Sequence, residues 1–306
     1  MAQLASKVLM VRPASFGFNT ETAVNNAFQG KETRLSPQEI AQKAIAEFDK
    51  AVEILRAQQI EVLVIQDTEK PPKPDAVFPN NWFCTLPTGK IVLFPMFAPN
   101  RREEKRDDIL QQLMGDFKVR DVEDWSEFEA ENFFLEGTGS MIFDHENMVV
   151  YACISSRTHK SLFEKFAHAH GYQPIHFLSK DEKNIPIYHT NVMMHIGESY
   201  AVICLDSIKN KTERIYVSQQ LTESGHEIIP ITQEQVRHFA GNMMQVKNKN
   251  GKKYTILSQT AFDALSTEQK DIFAFHTQLL PIPIETIETF GGGSARCMVA
   301  EIFLQK

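Results

Sequence analysis

Four times along the chain an apolar strand, a polar turn and a second apolar strand follow one another at nearly constant spacing. "NWFCTLPTGKIVLFPM" begins at Asn81, "GSMIFDHENMVVYACIS" at Gly139, "NVMMHIGESYAVICLDS" at Asn191 and "NMMQVKNKNGKKYTILSQ" at Asn242. A fifth start falls at Arg296 with "RCMVAEIFL", so successive starts lie 58, 52, 51 and 54 residues apart. That fifth unit lacks its second strand, and "KVLMVRP" near the N-terminus is the segment able to complete it. A period of this size commits a chain to stacking or circling like units. The expectation is an α/β fold, a five-bladed α/β propeller of one domain over residues 1–306, whose N- and C-termini share the last blade. The alternative is an ordinary α/β sheet whose strands recur by chance. In a closed ring Asn81, Gly139, Asn191, Asn242 and Arg296/Cys297 hold equivalent places and converge on one central pocket.

Composition narrows the partners. With 42% hydrophobic and 23% charged residues among 306, the chain can bury a full core. A net charge of −7 argues against nucleic acid, which calls for a basic face. The cluster Arg101, Arg102, Lys105 and Arg106 is interleaved with acids and reads as a solvated helix start. No apolar run is long enough to cross a membrane, and the N-terminus lacks the pattern of a signal peptide. Cys84, Cys153, Cys204 and Cys297 lie far apart, which suggests neither disulfides nor a metal site. These features lead to the expectation of a cytoplasmic protein and allow a homo-oligomer; no metal or organic cofactor is implied. Helices are expected over "SPQEIAQKAIAEFDKAVEILRAQQ", where Ser36 and Glu39 form a capping box, over "THKSLFEKFAHAHG", and from "STEQKDIFAFH". "EKPPKPD" at 69–75 reads as a soft, proline-rich connector.

The last unit opens with "GGGSARC". A phosphate loop needs its glycines between strand and helix, usually with Lys-Ser/Thr following, and this segment runs into a strand instead. Its glycines suit close backbone approach at a tight pocket, with Cys297 at the mouth of the strand. Cys153 and Cys204, at matching places on second strands, read as buried apolar cysteines. A nucleophilic thiol needs a base or cation beside it. His189, two residues before a unit start, and Glu136, three before another, should reach the same pocket. His168, His170 and His195 lack that register and read as structural.

"LEGTGS", "YHTNVMM" and "GGGSARCMVAE" together resemble the amidinotransferase, or pentein, superfamily of arginine deiminases, dimethylarginine hydrolases and glycine amidinotransferases. "ISSRT" at 154–158 resembles that family's Ser-x-Arg-Thr segment and "PNRREE" at 99–104 its helix entry. The resemblance spans nearly the whole chain. It implies a five-bladed propeller and a cysteine nucleophile attacking the central carbon of a guanidino or related group. By the same resemblance Arg157 and Arg101 would grip the substrate's α-carboxylate.

The departures from that family carry chemistry of their own. Its arginine-directed members usually hold acids where this chain has Asn81, Asn191 and Gly139. A buried guanidinium wants those charges, whereas an amide offers one acceptor and one donor group to a neutral ureido headgroup. Within the superfamily the sequence most resembles the citrulline-utilisation hydrolases, also described as citrulline ureidases. The expected reaction takes citrulline to ornithine, carbon dioxide and ammonia through a thiocarbamoyl adduct on Cys297. His189 would protonate the departing nitrogen and then activate water, Glu136 would orient it, and Asn81 and Asn191 would read the headgroup. Two alternatives stand beside this. One is an arginine or methylarginine hydrolase, or an amidinotransferase, whose acids lie elsewhere, Asp75 among them. The other is a non-catalytic propeller that only binds.

Overall fold

Every repeated segment forms its two strands, and each pair gains a third that the spacing did not show. The computed structural model describes residues 1–26, 28–30 and 35–306, and among these the strands make five three-stranded sheets. Phe83–Thr85 pairs antiparallel with Lys90–Leu93, which takes Asp121–Asp124 in parallel on its other side. The same pattern joins Ile142–Asp144, Val149–Cys153 and Gln173–Phe177. It recurs in Met194–Ile196, Tyr200–Ile203 and Glu227–Pro230, and again in Met244–Lys247, Lys253–Ser258 and Gln278–Ile282. In the fifth sheet Lys7–Arg12 lies between antiparallel Ala300–Glu301 and parallel Glu61–Gln66, with Val8 opposite Glu301 and opposite Val62.

Apart from Glu61–Gln66, an apolar β-rich run in its own right, the third strands escaped the pattern for a physical reason. All are sheet edges, and "QPIHF", "EIIP" and "QLLPI" carry a proline that only an edge tolerates. "DVED" is mostly polar, with its ends exposed. Each is reached through a helical crossover, as parallel pairing requires.

The helices follow their end signals. Pro37–Ala57 starts on a capping box between Ser36 and Glu39 and buries Ile40, Ala44, Phe48, Ala51, Val52 and Leu55. Ile45, at the flank of that buried face, is only half-buried. Lys160–Ala169 stops at Gly171, and Thr267–His276 opens on a second capping box at Ser266. The 69–75 connector is not soft. Its Lys73 is buried against Asp67 at 3.2 Å, and it delivers Asp75 to the interior. Among the described residues no helix is long and apolar enough to cross a membrane.

What positions the site is the short turn leading into each sheet. These turns hold Asn81, Gly139, Asn191, Asn242 and Cys297, and each is tied to the next. Thr138 Oγ1 donates to the Asn80 carbonyl, Thr190 Oγ1 to that of Ser140, and Asn242 Nδ2 to that of Asn191. The Arg296 amide then donates to Asn242 Oδ1. Turns some fifty residues apart in sequence are in this way laced side by side.

Candidate active site

Cys297 is buried, and its backbone N–H donates to the Ser294 carbonyl at 3.0 Å. The helix Glu285–Gly291 ends one step upstream, where Gly292 takes φ +64 and bonds back to the Glu288 carbonyl at 2.9 Å. A side chain at that left-handed position would be strained, so glycine lets the chain turn straight from the helix to Cys297. Two side-chain amides point at the sulfur: Asn242 Nδ2 at 3.3 Å and Asn191 Nδ2 at 3.4 Å.

His189 and Glu136 meet as expected from their register. His189 Nε2 donates to Glu136 Oε2 at 2.8 Å, which fixes the tautomer and leaves Nδ1 as the basic nitrogen. Nδ1 has no protein partner among the described residues. Burial pushes His189 down to about 4, against the upward pull of Glu136, so the ring is neutral near pH 7. Burial alone would raise Glu136, but Arg157 and His189, with Arg101 behind them, hold it down to about 2. Its second oxygen accepts the Phe97 amide at 2.9 Å. The result is a neutral base backed by a fixed negative charge.

Asn81 shows how the pocket chooses its polarity. Arg101 forks onto both oxygens of Glu104 at 2.8 Å and gives Nη1 to Asn81 Oδ1 at 2.7 Å. Only an oxygen can accept that proton, so the Asn81 amide is oriented with Nδ2 away from Arg101, where it has no partner among the described residues. Asn191 is the converse: its Nδ2 faces the sulfur and its buried Oδ1 has no partner among the described residues. Gly139 makes the room. A Cβ there would stand 2.3 Å from Asn81 Nδ2 and 2.9 Å from the His189 ring. An acid at that position would therefore displace both.

The two arginines lie at the site with their donors engaged. Arg101 also gives Nη2 to the Phe78 carbonyl at 3.1 Å. Arg157 gives Nε to Asn25 Oδ1 at 3.0 Å and Nη2 to the Thr22 carbonyl at 3.0 Å, with Nη1 3.5 Å from Glu136. Its guanidinium sits 4.8 Å above the Tyr188 ring. Asn25 and Thr22 belong to a covering segment, also pinned by Asn26 Nδ2 on the Gly291 and Gly292 carbonyls. Under that cover the cavity lined by Asp75, Asn81, Arg101, Arg157, His189 and Cys297 retains only about 10 Å³, room for no more than one water.

Some of this lay outside sequence reasoning. Asn242 had the register of a unit start but no assigned chemistry. Asp75 figured only in an alternative, yet it lines the cavity. Its Oδ2 accepts from Asn19 Nδ2 at 2.8 Å and Thr22 Oγ1 at 3.1 Å, and its buried Oδ1 has no partner among the described residues. Burial raises that carboxyl, opposed by Arg101. The covering segment carries no motif at all. Among the described residues no group of three or more His, Cys, Asp or Glu is placed to hold a metal ion.

Comparison with known proteins bears on this geometry. The family model described as N,N dimethylarginine dimethylhydrolase, eukaryotic, matches residues 12–304. No curated protein matches significantly. The fold is that of ArgZ, a cyanobacterial arginine dihydrolase, with TM-score 0.74 and 17% identity over 96% of this chain and 40% of that one. The chain thus spans less than half the length of full ArgZ but nearly all of its N-terminal domain. With substrate bound to a Cys-to-Ser variant, that domain superposes with TM-score 0.73 and 17% identity over 96% of this chain and 97% of its own. A dimethylarginine dimethylhydrolase from Pseudomonas aeruginosa, a Cys-to-Ser variant holding citrulline, gives 0.67 and 14% over 98% and 100%.

Proposed function

This chain belongs to the N,N dimethylarginine dimethylhydrolase family, within the pentein superfamily, and on that premise we propose a cysteine hydrolase that cleaves a C–N bond at the planar end of an amino-acid side chain. The observation carrying this reading is the cavity itself, where buried Cys297 shares one small space with neutral His189 backed by ionised Glu136. The proposal takes residues 1–306 as one domain, with the five sheets as blades around that space.

The steps follow from protonation. Neutral His189 takes the thiol proton at Nδ1, and the Cys297 sulfur attacks the central carbon. The imidazolium, held by Glu136, returns the proton to the departing nitrogen as its C–N bond breaks. Water, deprotonated by the same Nδ1, attacks the thioester-like carbon and releases the sulfur. His189 therefore acts as base before it acts as acid. With about 10 Å³ free in the closed state, the covering segment has to move for a substrate to enter.

A guanidino substrate is the first reading. The family and the arginine- and dimethylarginine-directed relatives favour it, and Asp75 Oδ1 is a carboxylate oxygen at the cavity without a partner. A ureido substrate such as citrulline is the second, favoured by one observation: unpartnered Asn81 Nδ2 and Asn191 Oδ1 offer a neutral donor and a neutral acceptor. Under either reading Asn81 and Asn191 face the headgroup and Arg101 positions Asn81. Arg157 becomes free for a carboxylate once Asn25 and Thr22 withdraw.

The test incubates the protein separately with asymmetric dimethylarginine, arginine and citrulline, and identifies the amino-acid product. Citrulline from the first two supports the guanidino reading, and ornithine from citrulline the ureido one. Turnover of none of the three, or full turnover by Cys297→Ala, overturns the proposal.

A further inference from the structure

We infer that Asn242 stabilises and positions the Cys297 thiolate, so that the nucleophile is activated by neutral amide donors. The inference rests on the reading of Cys297 as nucleophile.

Asn242 is 1% exposed, and each end of its amide is assigned by a different segment of chain. The Arg296 N–H donates to Oδ1 at 2.9 Å, so Oδ1 is the oxygen and Nδ2 the donor end. Nδ2 carries two hydrogens. One goes to the Asn191 carbonyl at 3.0 Å, and the other points at Cys297 Sγ at 3.3 Å. The backbone of Asn242 is anchored too, its N–H on the Phe239 carbonyl at 2.8 Å. A side chain held at both ends and at its own backbone cannot rotate to follow other partners. It is a fixed donor.

Among the described residues the sulfur has no cation in hydrogen-bond contact, and His189 bonds to Glu136 rather than to Sγ. With room for one water at most, solvent cannot do the work of solvating a thiolate. The two amides, Asn242 at 3.3 Å and Asn191 at 3.4 Å, are what faces the charge. Fixed dipoles in a closed cavity cost no reorganisation when charge develops, and they act there more strongly than in water. Asn242 also ties the nucleophile's turn, through Arg296, to the turn of Asn191, a residue facing the headgroup. One side chain therefore sets the distance between the attacking atom and a headgroup contact.

The experiment compares Asn242→Asp and Asn242→Ala with the parent. Aspartate keeps the volume and the oxygen that accepts the Arg296 N–H, but replaces the donor beside the sulfur by an acceptor. Alanine removes both. Iodoacetamide labelling of Cys297 is followed at pH 8 by peptide mass, with buried Cys84, Cys153 and Cys204 as internal controls. Loss of a hydrogen bond to a charged group should slow labelling about 10-fold to 100-fold in both variants. It should lower kcat by a similar factor, with KM within about threefold. If Asn242→Asp labels at the parental rate while only Asn242→Ala is slow, the role is structural and the inference fails. Labelling needs no substrate, so this result stands apart from the turnover assay that tests the function.

Discussion

At the residue scale the centre of the site is a division of labour between charge and neutrality. Glu136 keeps its charge because Arg157 and His189 oppose the cost of burial, whereas His189 loses its charge because burial outweighs Glu136. In the proposed mechanism the working form of His189 is the neutral ring, so kcat/KM should hold from neutrality downward and fall only as pH drops through about 4. Glu136→Gln preserves shape and removes the charge. It should lower kcat by at least about 100-fold, the usual scale of positioned acid–base catalysis. It should also move the acid limb to lower pH, since both contributions of Glu136 raise the His189 value. A pH–rate profile of the two proteins checks both; an acid limb that shifts upward would contradict the pairing. Cys297, His189 and Glu136 were legible in sequence because each sits within three residues of a unit start. Asn242 had the same register, and only the contact with the sulfur revealed its use.

At the element scale the laced turns and the covering segment do different things. The turns are short, buried and cross-linked by hydrogen bonds between units, which makes them a rigid floor. The cover is fastened mainly by side-chain amides: Asn25 to Arg157, and Asn26 to Gly291 and Gly292 at 3.4 and 3.3 Å. Such a fastening is weak enough to release. Asn26→Ala should loosen it by roughly 1 kcal/mol, making cleavage within residues 19–26 by a trace protease about fivefold faster. The same variant should leave the unfolding midpoint within a few degrees of the parent's. Equal cleavage in the two proteins would mean that these bonds do not hold the cover shut. The floor could be read from strand–turn–strand spacing, which is a local property of the chain. The cover could not, because its bonds to the rest of the chain run to residues 53 or more positions away.

At the scale of the whole molecule, burial also sets acid stability. His145, His189 and His195 are pushed by burial to about 3, 4 and 3, while an unfolded chain titrates near 6.5. Between those values the unfolded state binds more protons, so stability should fall as pH drops below about 6.5. Near pH 5 the slope from the three approaches about 4 kcal/mol per pH unit, and His195→Gln should flatten it by about 1.4. Urea unfolding at pH 5, 6 and 7 reads this directly; an unchanged slope would mean that His195 is not held neutral in the fold. What the sequence determined by itself was the repeat: five strand–turn–strand starts, the split of the last between the two termini, and the register bringing Cys297, His189 and Glu136 together. Those features depend on spacing and on alternation of apolar and polar residues, which act along the chain. The tertiary structure alone decided which atoms meet: the proline-bearing edge strands, the orientation of each asparagine amide, the engagement of Arg101 and Arg157, and the place of Asp75. An amide's direction or a carboxylate's charge depends on partners brought near by folding and on the water that folding removes, and neither is written in local sequence.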